Sequence, residues 1–199
     1  MISAFGRYWR SHRGSTVLGV MIAISGTVRL WPLRSHDRWE SLTPVITLVP
    51  LAGACLIAAC LHEPLHELER CAPARPAWYR LVLVLSLLGG AVAAFASMAE
   101  SAEIALALSR NMLGFCGLAC LAATTFGARM SWAPPLLYTI LTYLSDVARS
   151  PDVFPSTLIA WPFARPHNLV ALCVSVILAL GIVLVVWKGP RLPPAGAVA

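Results

Sequence analysis

LVALCVSVILALGIVLVVW, residues 169–187, decides the class of this chain. It contains no Asp, Glu, Lys or Arg, and as a helix it would extend about 28 Å, close to the roughly 30 Å hydrocarbon core of a bilayer. Such a stretch reads as a transmembrane helix. Lys188 follows it directly and places a positive charge at one interface. The whole chain shares this character: 58% of its 199 residues are hydrophobic and 12% are charged, about half the charge of an ordinary soluble domain.

Working back from that span, five more apolar stretches can be marked. The spans fall at about 15–33, 42–61, 79–98, 112–128, 133–147 and 169–187. The second contains Pro44 and Pro50, the third Gly89 and Gly90. The fourth is marginal in length. The apolar part of the fifth, about Leu136–Val147, is too short to cross upright unless the preceding prolines and Trp132 belong to it. Ser156–Phe163, in the proline-rich connection before the last span, reads as a loop, with a dip into the membrane as the alternative.

Ahead of the first span, Ile2, Phe5, Tyr8 and Trp9 gather on one side of a helix and Arg7, Arg10 and Arg13 on the other. That is the pattern of an interfacial amphipathic helix. No small-residue cleavage site follows Val17–Val28, so the first span reads as uncleaved. The expected fold class is therefore an all-α integral membrane protein with six transmembrane helices and an N-terminal interfacial helix, residues 1–199 forming one polytopic membrane domain.

Six spans put both termini on one side. That side carries nine of the fifteen basic residues: Arg7, Arg10, Arg13, Arg70, Arg75, Arg80, Arg129, Lys188 and Arg191. The other side carries Arg29, Arg34, Arg38, Arg110, Arg149 and Arg165. The excess of arginine and lysine makes the side of the termini cytoplasmic. The formal net charge of +6 thus sets orientation and gives no reason to expect nucleic acid as a partner. The six cysteines, five of them inside apolar runs and none in a Cys-x-x-Cys pair, read as small packing residues.

One segment breaks the apolar pattern. LHEPLHELERCAPARPAWYR, residues 61–80, brings three glutamates, two histidines and three arginines between the second and third spans. His62-Glu63-Pro64-Leu65-His66 matches the H-E-x-x-H zinc pattern. That pattern requires both histidines on successive turns of one helix and a third ligand from elsewhere. Pro64 breaks the helix between them unless it stands in the first turn, and the later acids fall on the opposite side of the membrane. Leu61, Leu65, Leu68 and Ala72 instead make one apolar stripe of a short amphipathic helix. Glu67 and Arg70 pair at favourable spacing on its polar side, and Pro73 ends it. An intramembrane zinc protease and a non-enzymatic membrane scaffold or immunity protein stand as the alternative readings.

This layout, with the wording HEPLHELERCAPARPAWYRL, Arg110-Asn111-Met112-Leu113-Gly114 and Arg129-Met130-Ser131-Trp132-Ala133-Pro134-Pro135-Leu136, resembles the membrane subunits of bacterial ABC-2-type exporters. The resemblance implies export across the inner membrane, driven by a separate cytoplasmic ATP-binding subunit. It makes the loop between spans two and three a coupling helix that contacts this subunit through Glu63, His66, Glu67, Leu68, Glu69 and Arg70. It also implies assembly as a homodimer or with a second permease. The sequence contains no G-x-x-x-x-G-K-[ST] run, so no ATP hydrolysis, metal or cofactor is expected of this chain. Glu100, Glu103, Arg110 and Asn111 are candidates for the border of an external substrate vestibule, against the plainer reading of a solvated helix end. Thr124, Thr125, Thr139, Thr142 and Tyr143 are candidates to line a pathway, against interhelical hydrogen bonding.

Overall fold

The structure is a computed structural model that describes residues 14–30, 39–60, 76–97, 99, 101–145 and 154–188. Among these residues there is no strand. The helices are α1 (Gly14–Leu30), α2 (Trp39–Cys60), α3 (Pro76–Ala96), α4 (Ala102–Thr125), α5 (Ala133–Leu144), α6 (Ser156–Ile159) and α7 (Leu169–Lys188). Single 3-10 turns lie at Ala128–Met130 and Trp161–Phe163. Among the described residues, three helical segments are long and apolar enough to cross a membrane: Thr43–Cys60 in α2, all of α4, and all of α7. The expected interfacial helix at the N-terminus and the charged segment 61–75 lie outside the described residues.

α4 is the hub. It packs most extensively against α7, then α2, then α3, while α1 rests on α3 and α2. Gly114, Phe115, Cys116 and Gly117 are consecutive and all buried, which on a helix means that every side is covered at that level. α4 is 61% buried along its apolar stretch and α7 only 28%. The outward residues of α7, among them Val176, Ile177, Leu180, Val183 and Trp187, are apolar and exposed.

The start of α4 differs from expectation. The sequence places a span at Met112, with a mixed segment before it, but the helix begins ten residues earlier at Ala102. Ser101 stands in extended conformation and its hydroxyl accepts the Ile104 N–H at 3.3 Å, so a polar cap opens the helix. Glu103 in the first turn complements the positive helix end. At the other end the Phe126 N–H bonds Ala122 O, and Gly127 turns the chain with φ 92°, a left-handed conformation that favours glycine.

α5 is polar inward and apolar outward. Pro135, Thr139 and Thr142 are buried, whereas Leu137, Ile140, Leu141 and Leu144 are exposed. A soluble amphipathic helix has the reverse arrangement. Pro134 and Pro135 are tolerated because they lie in the first turn, where a missing N–H costs nothing. With twelve residues, α5 extends about 18 Å.

Between apolar helices in lipid there is little hydrophobic gain, so close packing has to supply the attraction. The α4–α7 crossing does this with backbone against backbone. A Cβ added at Gly117 would overlap the Leu178 carbonyl, and one added at Gly181 would overlap the Gly117 carbonyl. A Cβ added at Gly53 would come within 3.1 Å of the Met112 sulfur across the α2–α4 interface. Gly117→Ala or Gly181→Ala should cost about 1–3 kcal/mol by forcing the helices apart, read as a lower melting midpoint in detergent. Gly89→Ala, which meets nothing within 4 Å, should leave the midpoint unchanged or slightly raised, since alanine is favoured over glycine in a helix by roughly 0.5–1 kcal/mol.

Candidate functional site

Two adjacent buried polar side chains of α4 bond to other elements at one place, where α4, α2 and the turn before α7 meet. Arg110 is 2% exposed and Asn111 fully buried. Arg110 lies about 12 Å along α4 from Ala102, and Gly114 about 18 Å along a helix of about 36 Å. The site is therefore well inside a helix long enough to span a bilayer.

Arg110 reaches the chain before α7. Its Nη1 donates to Arg165 O at 2.8 Å and its Nη2 to Ala164 O at 2.9 Å. Nε and Nη2 also donate to Asn111 Oδ1, at 3.2 and 3.1 Å. Asn111 Nδ2 donates to Pro162 O at 2.7 Å and to Ile46 O of α2 at 3.0 Å. Both hydrogens of the amide and both lone pairs of its oxygen are thus used. Its orientation follows: flipped, it would set its oxygen against two carbonyl oxygens and its N–H groups against the guanidinium.

The turn these residues hold carries the largest fully buried side chain, Trp161. Its indole lies over Gly114, where any Cβ would overlap the ring, with Phe115 at a centroid distance of 5.1 Å and Tyr138 of α5 at 6.4 Å. The Tyr138 hydroxyl donates to Ile159 O. Ala160, Pro162, Phe163 and Ala164 are buried as well, so the connection expected as a loop is a packed insertion against the middle of α4. Asn168 then accepts the Ala171 N–H at 3.1 Å and starts α7.

Among the sequence candidates, Glu103, Arg110 and Asn111 all face this connection. Glu103 is on the rim, its Oε1 3.5 Å from His167 Nε2 with both side chains mostly exposed, an arrangement that contributes little to stability. Arg110 and Asn111 form the buried centre. Glu100 and the stretch containing His62, Glu63, His66, Glu67, Leu68, Glu69 and Arg70 lie outside the described residues. Thr124, Thr139 and Thr142 donate to carbonyls of their own helices, Leu121, Pro135 and Tyr138, each at 2.8 Å. The hydroxyls are satisfied locally in place of the interhelical bonds expected for them. No group of three or more metal-ligating side chains occurs among the described residues, nor does a disulfide.

Trp161 and Gly114 are the residues that sequence reading missed. The signal was the buried-type word Trp-Pro-Phe-Ala inside a stretch otherwise rich in Pro and charge. Comparison with protein-family models, curated proteins and solved structures finds no match.

Arg110→Leu should leave the Ala164 carbonyl without the Arg110 donor, at about 1–3 kcal/mol for a buried group left unpaired, while the Arg165 carbonyl keeps the Asn168 N–H at 3.1 Å. Arg110→Lys should recover only part of that loss, because an ammonium cannot reproduce the planar fork. Thermal unfolding of the two variants in detergent, ranked wild type, Lys, Leu, is the measurement.

Proposed function

We propose that this chain is the transmembrane subunit of an ATP-driven export complex of the ABC-2 type. The observation that carries the reading is the sequence of residues 61–75, which lies between α2 and α3: a charged stretch with an apolar stripe, on the side favoured by the basic residues. In this reading it is the coupling helix. Glu67, Leu68, Glu69 and Arg70 contact the ATP-binding subunit, with Glu63 and His66 flanking.

The reading takes α1, α2, α3, α4, α5 with its flanking residues, and α7 as six spans of a bacterial inner-membrane protein with both termini cytoplasmic. α4 then enters from the outside, and Glu100, Glu103, Arg110 and Asn111 lie towards its outer end. Its supports are the three span-length apolar helices, the outward apolar faces of α5 and α7, and the charge bias of the connecting segments. The absence of a nucleotide-binding run makes a partner ATPase part of the hypothesis. The complete exporter pairs the chain with a second copy or a second permease.

Affinity purification in mild detergent should recover a cytoplasmic ATP-binding protein. Glu67→Arg and Arg70→Glu should each lower the ATPase activity of that complex about fivefold or more, with the amount of membrane-inserted protein unchanged. Recovery of no ATPase, together with silent charge reversals, rules the reading out.

A further inference from the structure

We propose that Asn111 is a latch between α2 at Pro50 and the Trp161–Phe163 turn, so that the turn stays seated only while the Ile46 carbonyl keeps its bond to Asn111.

Pro50 leaves a gap in the bonding of α2. In an α-helix the carbonyl of residue 46 accepts the N–H of residue 50, and proline has none. Pro50 lies inside α2, so Ile46 O has lost its intrahelical donor at a position where Ile46 is 1% exposed. Asn111 Nδ2 supplies the bond from another helix, at 3.0 Å. The second hydrogen of the same nitrogen goes to Pro162 O at 2.7 Å. One amide group thus closes the gap in α2 and holds the centre of the turn, with Arg110 on its oxygen preventing a flip.

The two halves of α2 are held differently. Beyond Pro50, Gly53 is close against Met112 of α4. Before Pro50, Ile46 O accepts the Asn111 side chain of α4. Beside Ile46, Thr47 is fully buried, yet its hydroxyl has no hydrogen-bond partner among the described residues. A helical threonine ordinarily satisfies itself on the carbonyl one turn back. This half of α2 therefore holds an unsatisfied donor in the seated arrangement, and a rotation about Pro50 that releases Asn111 offers that donor a new partner. Withdrawing Ile46 O leaves an Asn111 N–H unpaired in apolar surroundings and frees the amide that fixes Pro162. Trp161, whose place over Gly114 exists only because glycine has no side chain, then loses the clamp that keeps its turn inserted.

The latch requires no partner chain, so it stands or falls separately from the transport reading. The test is hydrogen exchange followed by mass spectrometry on the purified full chain in detergent. The reporters are the amides of Ala160, Phe163 and Ala164, which bond within the turn, and those of α2 from residue 46 to residue 54. Pro50→Ala restores an N–H that competes for Ile46 O. It should slow exchange in α2 and, by unlatching Asn111, speed exchange in the turn about tenfold or more. Asn111→Asp, equal in size but with no amide hydrogen to donate, should speed exchange in both segments. The double variant should exchange in the turn no faster than Asn111→Asp alone, because the two substitutions break one connection. If Pro50→Ala slows α2 and leaves the turn unchanged, or if the two effects on the turn multiply, the latch is refuted. Should either single variant fail to fold, the other decides by the same criterion of the turn's exchange rate.

Discussion

Backbone groups in an apolar surrounding must find partners, because no solvent is there to replace them. Helices meet this requirement internally, and most of the described chain is helical. Two of the departures from regular helix, both buried, concern α4: the Trp161–Phe163 turn with the residues after it, and Pro50 inside α2. Together they present the carbonyls of Pro162, Ala164, Arg165 and Ile46, and Arg110 and Asn111 meet all four. An arginine and an asparagine at adjacent positions are therefore what allow irregular backbone deep in the packing. The desolvation of a buried guanidinium is costly, and an array of bonds to fixed carbonyls is the compensation.

Around that polar centre the rest is a problem of approach. α4 packs against α7, α2, α3 and α5, and four helices cannot all come close to one rod with large side chains on every side of it. The glycines resolve this. Gly117 and Gly181 let two backbones meet, and Gly114 opens a seat for an indole. The outward faces need no such economy and carry Leu, Ile and Val. At the α4–α7 crossing small residues lie within and large aliphatic residues without.

Hydropathy alone marked α7, α2 and the apolar bulk of α4, because these depend on local composition and on a length matched to a bilayer. It misplaced the start of α4, since Arg110 and Asn111 look like a polar end when viewed along the chain. Their partners lie more than fifty residues away, a distance over which no periodicity carries information. The same limit hid Trp161: a tryptophan in a proline-rich connection reads as an interfacial anchor until the glycine opposite it is seen. Thr124, Thr139 and Thr142 follow neither of the sequence readings, a pathway lining or bonds across helices, in their hydrogen bonding: each donates to a carbonyl about one turn back on its own helix. The charged segment of residues 61–75, on which the reading of function rests, is beyond the described structure.

The separation of Arg110 from its acceptors also orders events in time. The arginine precedes Ala164 and Arg165 by 54 and 55 residues, which at ordinary synthesis rates is about 3–10 s. During that interval α4 is complete but the carbonyls that neutralise the cost of its buried cation do not yet exist. α4 is also less apolar than α7, so its own insertion is the weaker of the two. Until the turn before α7 is made, the Arg110 guanidinium lacks its Ala164 and Arg165 acceptors, and a buried cation without acceptors is costly. The set of bonds around Arg110 is thus completed by a segment made after α4.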